Sequence, residues 1–232
     1  MYIYGKNVVK SALKSKNKVN KIFIYKNFDD SDILNELKKL NLKFNYKEKI
    51  ELDRMVDGLH QGIILDVDDY KYSDIGVLNN SDELLVMLDH IEDPHNFGAI
   101  IRTCEAAGIK HIIIPKDRAC EVNSTVIKTS TGTIDNVNII RVTNLNQTIK
   151  YLKDNGYWIV GTDMEGTDYR KIDYNGKICV VIGNEGKGLS DLIYKNCDFM
   201  ASIPMYGSVN SLNASVATGI ILFEAVGSRN EL

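Results

Sequence analysis

Residues 84–103 read LLVMLDHIEDPHNFGAIIRT. Leu84–Asp89 opens with an unbroken apolar run, the pattern of a strand buried on both faces. Phe97–Ala107 has helical spacing and closes at Gly108, a good residue for the position just past a helix end. A fully buried strand running through a short polar loop into a helix is the repeating unit of a parallel α/β sheet. The same rhythm continues downstream. Strands are predicted at His111–Pro115, Val137–Val142, Tyr157–Thr162, Ile178–Ile182 and Met200–Ile203. Helices are predicted from Asn144 to Asp154, over Leu189–Asn196, and from Asn213 to about Gly227.

Upstream the pattern is different. A helix over Asn7–Leu13 precedes a strand at Val19–Tyr25, and a helix capped by Ser31 runs to about Leu40. A short strand at Phe44–Tyr46, a helix at Glu48–Val56 and a turn through His60-Gln61-Gly62 into a closing strand complete a small α/β module. The polar stretch that follows, with Asn79-Asn80, reads as a connection. The expected division is 1–72, a linker over 73–82, and 83–232.

The chain has 232 residues, 44% of them apolar and 25% charged, with three prolines, so disorder and collagen are excluded. No apolar run is long enough to span a bilayer, and the first residues, MYIYGKNVVK, lack a signal-like apolar segment, so a cytoplasmic location is expected. Net charge is −3, but it is unevenly spread: 14 basic and 11 acidic residues over 1–72, against 14 and 20 over the rest. Residues 1–28 carry seven lysines and no acid. Such a face attracts a phosphate backbone, and equally serves as a solvated surface. Cys104, Cys120, Cys179 and Cys197 show no paired metal-ligand spacing and read as buried free thiols.

Three loops carry unusual chemistry, each placed after a strand, where parallel sheets bind ligands. In the first, Asn96 is a candidate helix cap, Gly98 permits close approach, and Arg102 has the forked geometry that suits phosphate. A capping Asn and a surface Arg would explain the same residues. The second, 182–189 (IGNEGKGL), is neither a P-loop nor a dinucleotide fingerprint; Glu185 would repel pyrophosphate and suits a ligand with a cationic or hydroxyl-bearing part. The third, 203–217 (IPMYGSVNSLNASVA), is a small polar turn into a helix starting with small residues, which invite close packing of another backbone such as a second subunit.

Taken together, DPHNFGAIIRT, IGNEGKGL and IPMYGSVNSLNASVA closely resemble the three signature motifs of the SpoU (TrmH) branch of SPOUT RNA methyltransferases. The match covers about 84–226, and residues 4–63 resemble the substrate-binding domain that accompanies it. The resemblance implies a Rossmann-like parallel sheet with a deep trefoil knot, a homodimer, and S-adenosylmethionine bound at the knot. It implies cofactor contacts from Gly183, Ile203 and Leu212, with Thr162, Met205, Ser211 and Asn213 around it. The family's functional positions fall on Asn96, Arg102, Glu185 and Asn213, all present.

The implied reaction is methyl transfer to a ribose 2′-hydroxyl of RNA, with a guanosine of 23S rRNA the expected target and a tRNA guanosine the alternative. Arginine stays protonated at neutral pH, so Arg102 is read as phosphate anchor and stabiliser of developing alkoxide charge, with Glu185 orienting it or the ribose. Lys6, Lys10 and Lys14 are the candidate RNA contacts of the small module. A non-catalytic RNA-binding scaffold is one rival. A metal-dependent phosphohydrolase on Asp89, His90, Asp93 and His95 is another, disfavoured because that spacing matches no ligand set; no metal is expected. The missing phosphate fingerprint disfavours a nicotinamide-dependent oxidoreductase.

Overall fold

The computed structural model describes residues 1–14, 19–81 and 83–230. Lys16 and Lys18 of the lysine run, and Asp82 of the expected linker, lie outside the described residues. Contacts divide the chain into two units, Met1–Lys71 with Val122–Asp135, and Tyr72–Glu121 with Asn136–Leu232.

The first unit holds a four-stranded sheet in the order β1-β4-β2-β3, formed by β1 (Tyr2–Tyr4), β2 (Val19–Tyr25), β3 (Asn45–Lys47) and β4 (Ile63–Val67). Only the β2–β3 pair is parallel. Helices α1 (Lys6–Lys14) and α2 (Ser31–Lys39) bury Val8, Val9, Ala12, Leu13, Ile33 and Leu37 against Ile22, Ile24, Ile63 and Leu65. Each of the Val, Leu and Ile side chains among them contributes about 1.5–3 kcal/mol when fully buried. Asp30, not Ser31, caps α2, because its carboxylate accepts from the Ile33 N–H at 3.2 Å. The short α3 (Lys49–Asp53) buries Leu52.

The His60-Gln61-Gly62 turn is built by its own side chains. Gly62 N donates to His60 Nδ1 at 2.9 Å, which leaves Nε2–H to donate to Asp53 Oδ1 at 2.9 Å. Gln61 sits in the left-handed region and accepts the Lys6 N–H through Oε1 at 2.8 Å. A short helix absent from the sequence expectation, α5 (Ser124–Thr129), capped by Asn123, also belongs to this unit; it buries Val126 and packs Ile127 on the core.

The second unit is a six-stranded sheet, all parallel, in the order β10-β8-β9-β5-β6-β7. Its strands are β5 (Leu84–Leu88), β6 (His111–Pro115), β7 (Asn138–Val142), β8 (Trp158–Asp168), β9 (Ile178–Ile182) and β10 (Phe199–Ser202). β6 and β9 are buried at every residue, as the expectation of two-sided burial requires. One face packs on α6 (Leu145–Asp154) and α7 (Asp191–Asn196), through Leu145, Ile149, Leu152 and Ile193 against Leu85, Met87, Ile113, Cys179 and Val181. Alternation turns Val86, Leu88, Ile112, Ile114 and Val180, all buried, to the opposite face. There α4 (Pro94–Ala106) and α8 (Ala214–Asn230) pack against each other.

Four local expectations are corrected. Asp93, not Asn96, caps α4: its carboxylate accepts from the N–H groups of His95 and Asn96, both at 3.2 Å, and Pro94 supplies the first helical residue. β8 runs on past Thr162 to Asp168, with its pairing to β10 jumping from Gly161 to Thr167. The helix expected from Leu189 begins at Asp191. Within the expected linker, a 3-10 turn at Ile75–Val77 is capped by Asp74, Ser73 bridges to Ile140, and Ile75 and Leu78 pack on the sheet core.

Candidate active site

The sheet order reverses direction between β5 and β9: from β5 the chain moves outward through β6 and β7, then crosses to β8, β9 and β10 on the other side. In a parallel sheet the loops leaving such a switch point diverge and open a crevice. Asp89 N, at the end of β5, donates to Ile182 O at the end of β9 at 2.8 Å, so the first and second motif loops leave the sheet side by side.

Loop 183–188 holds its shape by a two-way bridge: Asn184 N donates to Gly188 O at 3.0 Å, and Gly188 N to Asn184 O at 2.9 Å. Gly188 needs its left-handed φ of +67°. Gly183 lies so close to the returning strand that a Cβ there would stand 2.5 Å from Gly188 C and 2.6 Å from Leu189 N. Asn184 pins the loop to the first motif, donating from Nδ2 to His90 O at 2.8 Å.

The three loops meet in one chain of side-chain hydrogen bonds. Asn213 Nδ2 donates to Asn96 Oδ1 at 2.8 Å, and Asn96 Nδ2 donates to Glu185 Oε1 at 2.5 Å. Asn213 also caps α8, its Oδ1 accepting from Ser215 N at 3.0 Å and Ser215 Oγ at 2.6 Å. Because Asp93 caps α4, the Asn96 amide is released for this bridge. Residues 96, 185 and 213, separated by 117 positions at the extremes, are thereby joined. Glu185 Oε2 has no partner among the described residues, so one carboxylate oxygen remains for a ligand.

Beside Glu185 lies a cavity of about 390 Å³. Thr162, Gly183, Ile203, Met205, Ser211 and Leu212, the expected cofactor residues other than Asn213, all line it. Ile182, Ala201 and Ile221 add an apolar wall, and Asp163, Glu185 and Asn210 a polar one. Apolar surface for a flat ring, hydroxyl and backbone partners, and carboxylates facing any cation suit a nucleoside bearing a positive centre. Thr162 is held at the cavity wall by its Oγ1, which donates to Val181 O of the neighbouring strand at 3.2 Å.

Arg102 stands on α4, exposed, with no hydrogen bond or ion pair to any described residue. The network does not take it in: six residues beyond Asn96, it falls about 120° around the helix from that side chain. Asp89, His90 and Asp93 have structural duties: Asp89 is buried and accepts from Ser190 N at 2.7 Å, its other oxygen meets His90 Nδ1 at 2.5 Å, and Asp93 caps α4. Among the described residues no three His, Cys, Asp or Glu side chains gather as a metal site, and no helix is long and apolar enough to cross a membrane. Burial makes the thiols inert, pushing Cys120 up to about 11 and Cys197 up to about 12.

The SpoU rRNA methylase family model matches residues 83–223, and the model for RNA 2′-O ribose methyltransferase substrate binding matches residues 2–73. The chain belongs to the SpoU (TrmH) family of RNA methyltransferases. It is similar to YacO of Bacillus subtilis, assigned to the TrmH family of tRNA/rRNA methyltransferases, at 40% identity over 99% of this chain and 96% of that protein. Among solved structures it resembles the SpoU methyltransferase AviRb of Streptomyces viridochromogenes in complex with S-adenosylmethionine, at 25% identity and a TM-score of 0.84, covering 100% of this chain and 91% of AviRb. A Sinorhizobium meliloti rRNA methyltransferase, also bound to S-adenosylmethionine, gives 28% identity, a TM-score of 0.80, and coverage of 97% and 85%. Sequence reasoning read the motif positions of this SpoU chain but missed the bonded Asn213–Asn96–Glu185 chain. No local signal reports a contact across 117 residues.

Of the lysines expected to hold RNA, Lys6 is paired with Asp29 and Asp30 at 3.6 Å each, and Lys10 with Asp30 at 3.4 Å and Asp32 at 3.1 Å. Lys14 is exposed, with no ion pair to a described residue.

Proposed function

We propose that this SpoU enzyme transfers a methyl group from S-adenosylmethionine to a ribose 2′-hydroxyl of RNA, at a guanosine of 23S rRNA. The observation that carries the reading is the Asn213–Asn96–Glu185 chain at the rim of the 390 Å³ cavity. S-adenosylmethionine supplies an electrophilic methyl on a cationic sulfur. The residues present fit it: the apolar wall takes an adenine ring, backbone groups of Gly183, Ile203 and Leu212 offer polar contacts, and Glu185 complements the cation. Asn213 lies at the rim rather than in the cavity lining, and its role is to hold Asn96. Asn96 in turn fixes Glu185, so one carboxylate oxygen is presented in a single orientation.

Arg102 acts as phosphate anchor and as the charge that steadies the forming alkoxide. With no hydrogen bond or ion pair to any described residue, its guanidinium is free for RNA. Most acceleration comes from alignment, since a well-held acceptor oxygen gains about 7–11 kcal/mol relative to free collision. The small N-terminal unit selects RNA through Lys14, with Lys6 and Lys10 exchanging their surface carboxylates for phosphate, an exchange of low cost because exposed pairs contribute about 0–1 kcal/mol.

The enzyme works in the cytoplasm as a homodimer joined through α8, where Val216 is 50% and Phe223 54% exposed two turns apart on one stripe. In line with the family, the last part of the sheet is threaded into a deep trefoil knot. Mapping 2′-O-methyl sites in total RNA from cells with and without the protein tests the reading: loss of one 23S rRNA guanosine methylation supports it, a lost tRNA site redirects it to tRNA, and an unchanged map refutes it.

A further inference from the structure

A second cavity, of about 280 Å³, adjoins the first, and the wall between them is the second motif loop: Asn184, Lys187 and Gly188 line both. Its other sides come from the ends of β5 and β6. Arg118 and Lys187 bring two cations, each exposed and without an ion pair to any described residue. One exposed carboxylate, Glu92, opposes them. The other acid, Asp89, is 1% exposed, and its two oxygens are taken by Ser190 N and His90 Nδ1. The two carboxylates match the two cations in number, but only Glu92 meets them at the surface, so the exposed guanidinium and ammonium remain available to an anion.

A second observation points to the same place. Among the described residues of this unit, the non-glycine residues with left-handed backbone are His90 (φ +60°) and Arg118 (φ +50°), and both line this cavity. Backbone held against its preference tends to mark sites of function. Neither residue belongs to the Asn213–Asn96–Glu185 chain.

We propose that this second cavity is a phosphodiester subsite that grips the RNA strand next to the methylated ribose, with Arg118 and Lys187 as its cations and His90, braced by Asp89, as its polar floor. The loop 183–188 then separates donor from acceptor strand. The inference rests on the methyltransferase reading above and adds to it a position for the strand. Arg118 lies outside the donor cavity, so its removal leaves S-adenosylmethionine affinity intact.

The test uses full-length protein, total RNA from cells lacking it, and a labelled single-stranded RNA oligonucleotide of random sequence. Arg118→Gln is expected to weaken RNA binding about tenfold at about 50 mM salt and to flatten the dependence of log K on log salt by about 0.7, the increment for one phosphate contact on a single strand. Lys187→Gln in the same chain flattens it by about 0.7 more. Arg118→Lys restores the slope, and Arg118→Gln leaves the S-adenosylmethionine dissociation constant unchanged. If both substitutions keep wild-type RNA affinity and slope while the wild type methylates RNA, the subsite is refuted and the enzyme reading stands. If the wild type itself takes up no methyl donor and modifies no RNA, the failure lies with the enzyme reading.

Discussion

Asn213 does two jobs with one amide. Its oxygen caps α8 and its nitrogen holds Asn96, so Asn213→Ala removes a helix cap costing about 1 kcal/mol and also frees Asn96 and Glu185. Thermal unfolding is expected to drop by a few degrees while kcat falls much further, and Asn213→Asp is expected to recover the former but not the latter. A carboxylate still accepts the Ser215 N–H, but it has no hydrogen to give Asn96 Oδ1. Arg102→Ala should cost about 10²–10³ in kcat, the usual loss when one preorganised charge-stabilising donor is deleted, with S-adenosylmethionine affinity retained. The thiols give a pH prediction. Burial raises all four, so the unfolded state ionises first, near pH 8.5, and stability is expected to fall as pH climbs from there toward 11. At pH 8 the native protein should react slowly with a thiol reagent, and four thiols should appear on denaturation.

At the scale of elements, the second motif loop and β8 depend on close backbone approach. Gly183→Ala would drive a methyl into the Gly188 and Leu189 backbone, opening the bridge between Asn184 and Gly188. Donor binding measured by calorimetry is expected to weaken by tenfold or more, with most of the fold retained. Gly166→Ala is a harsher change. Its Cβ would stand 2.4 Å from Met200 O on β10, in backbone that cannot turn aside. A fall in thermal midpoint, with the edge of the sheet loosened, is the expected outcome by calorimetry and proteolysis. The strand cores and their order of appearance were legible because apolar runs such as Ile178–Ile182 are long and bounded. Caps were misplaced by one to three residues at α2 and α4, since Ser31 and Asn96 match cap chemistry as well as Asp30 and Asp93 do.

At the scale of the whole molecule, the N-terminal unit includes a segment from the middle of the chain. Val122–Asp135 contributes Val126, Ile127 and Ile134, apolar residues that a fragment ending at residue 72 would lack. Such a fragment is expected to be less stable than one carrying 122–135 on a short linker, read by chemical denaturation. Phe223→Glu should convert the proposed dimer to monomer by light scattering, because a carboxylate would be desolvated in an apolar contact.

The sequence alone determined the alternating elements, the buried parallel strands and the three loops that carry the family's motifs, because period, burial and motif spacing are local properties. The tertiary structure alone decided that Asn96 bridges rather than caps, that Lys6 and Lys10 are paired, and that 122–135 belongs with the N-terminal unit. It also decided that loop 183–188 separates two cavities. Each of these depends on which distant groups compete for the same hydrogen bond, charge or apolar surface, and that competition exists only once the chain has folded.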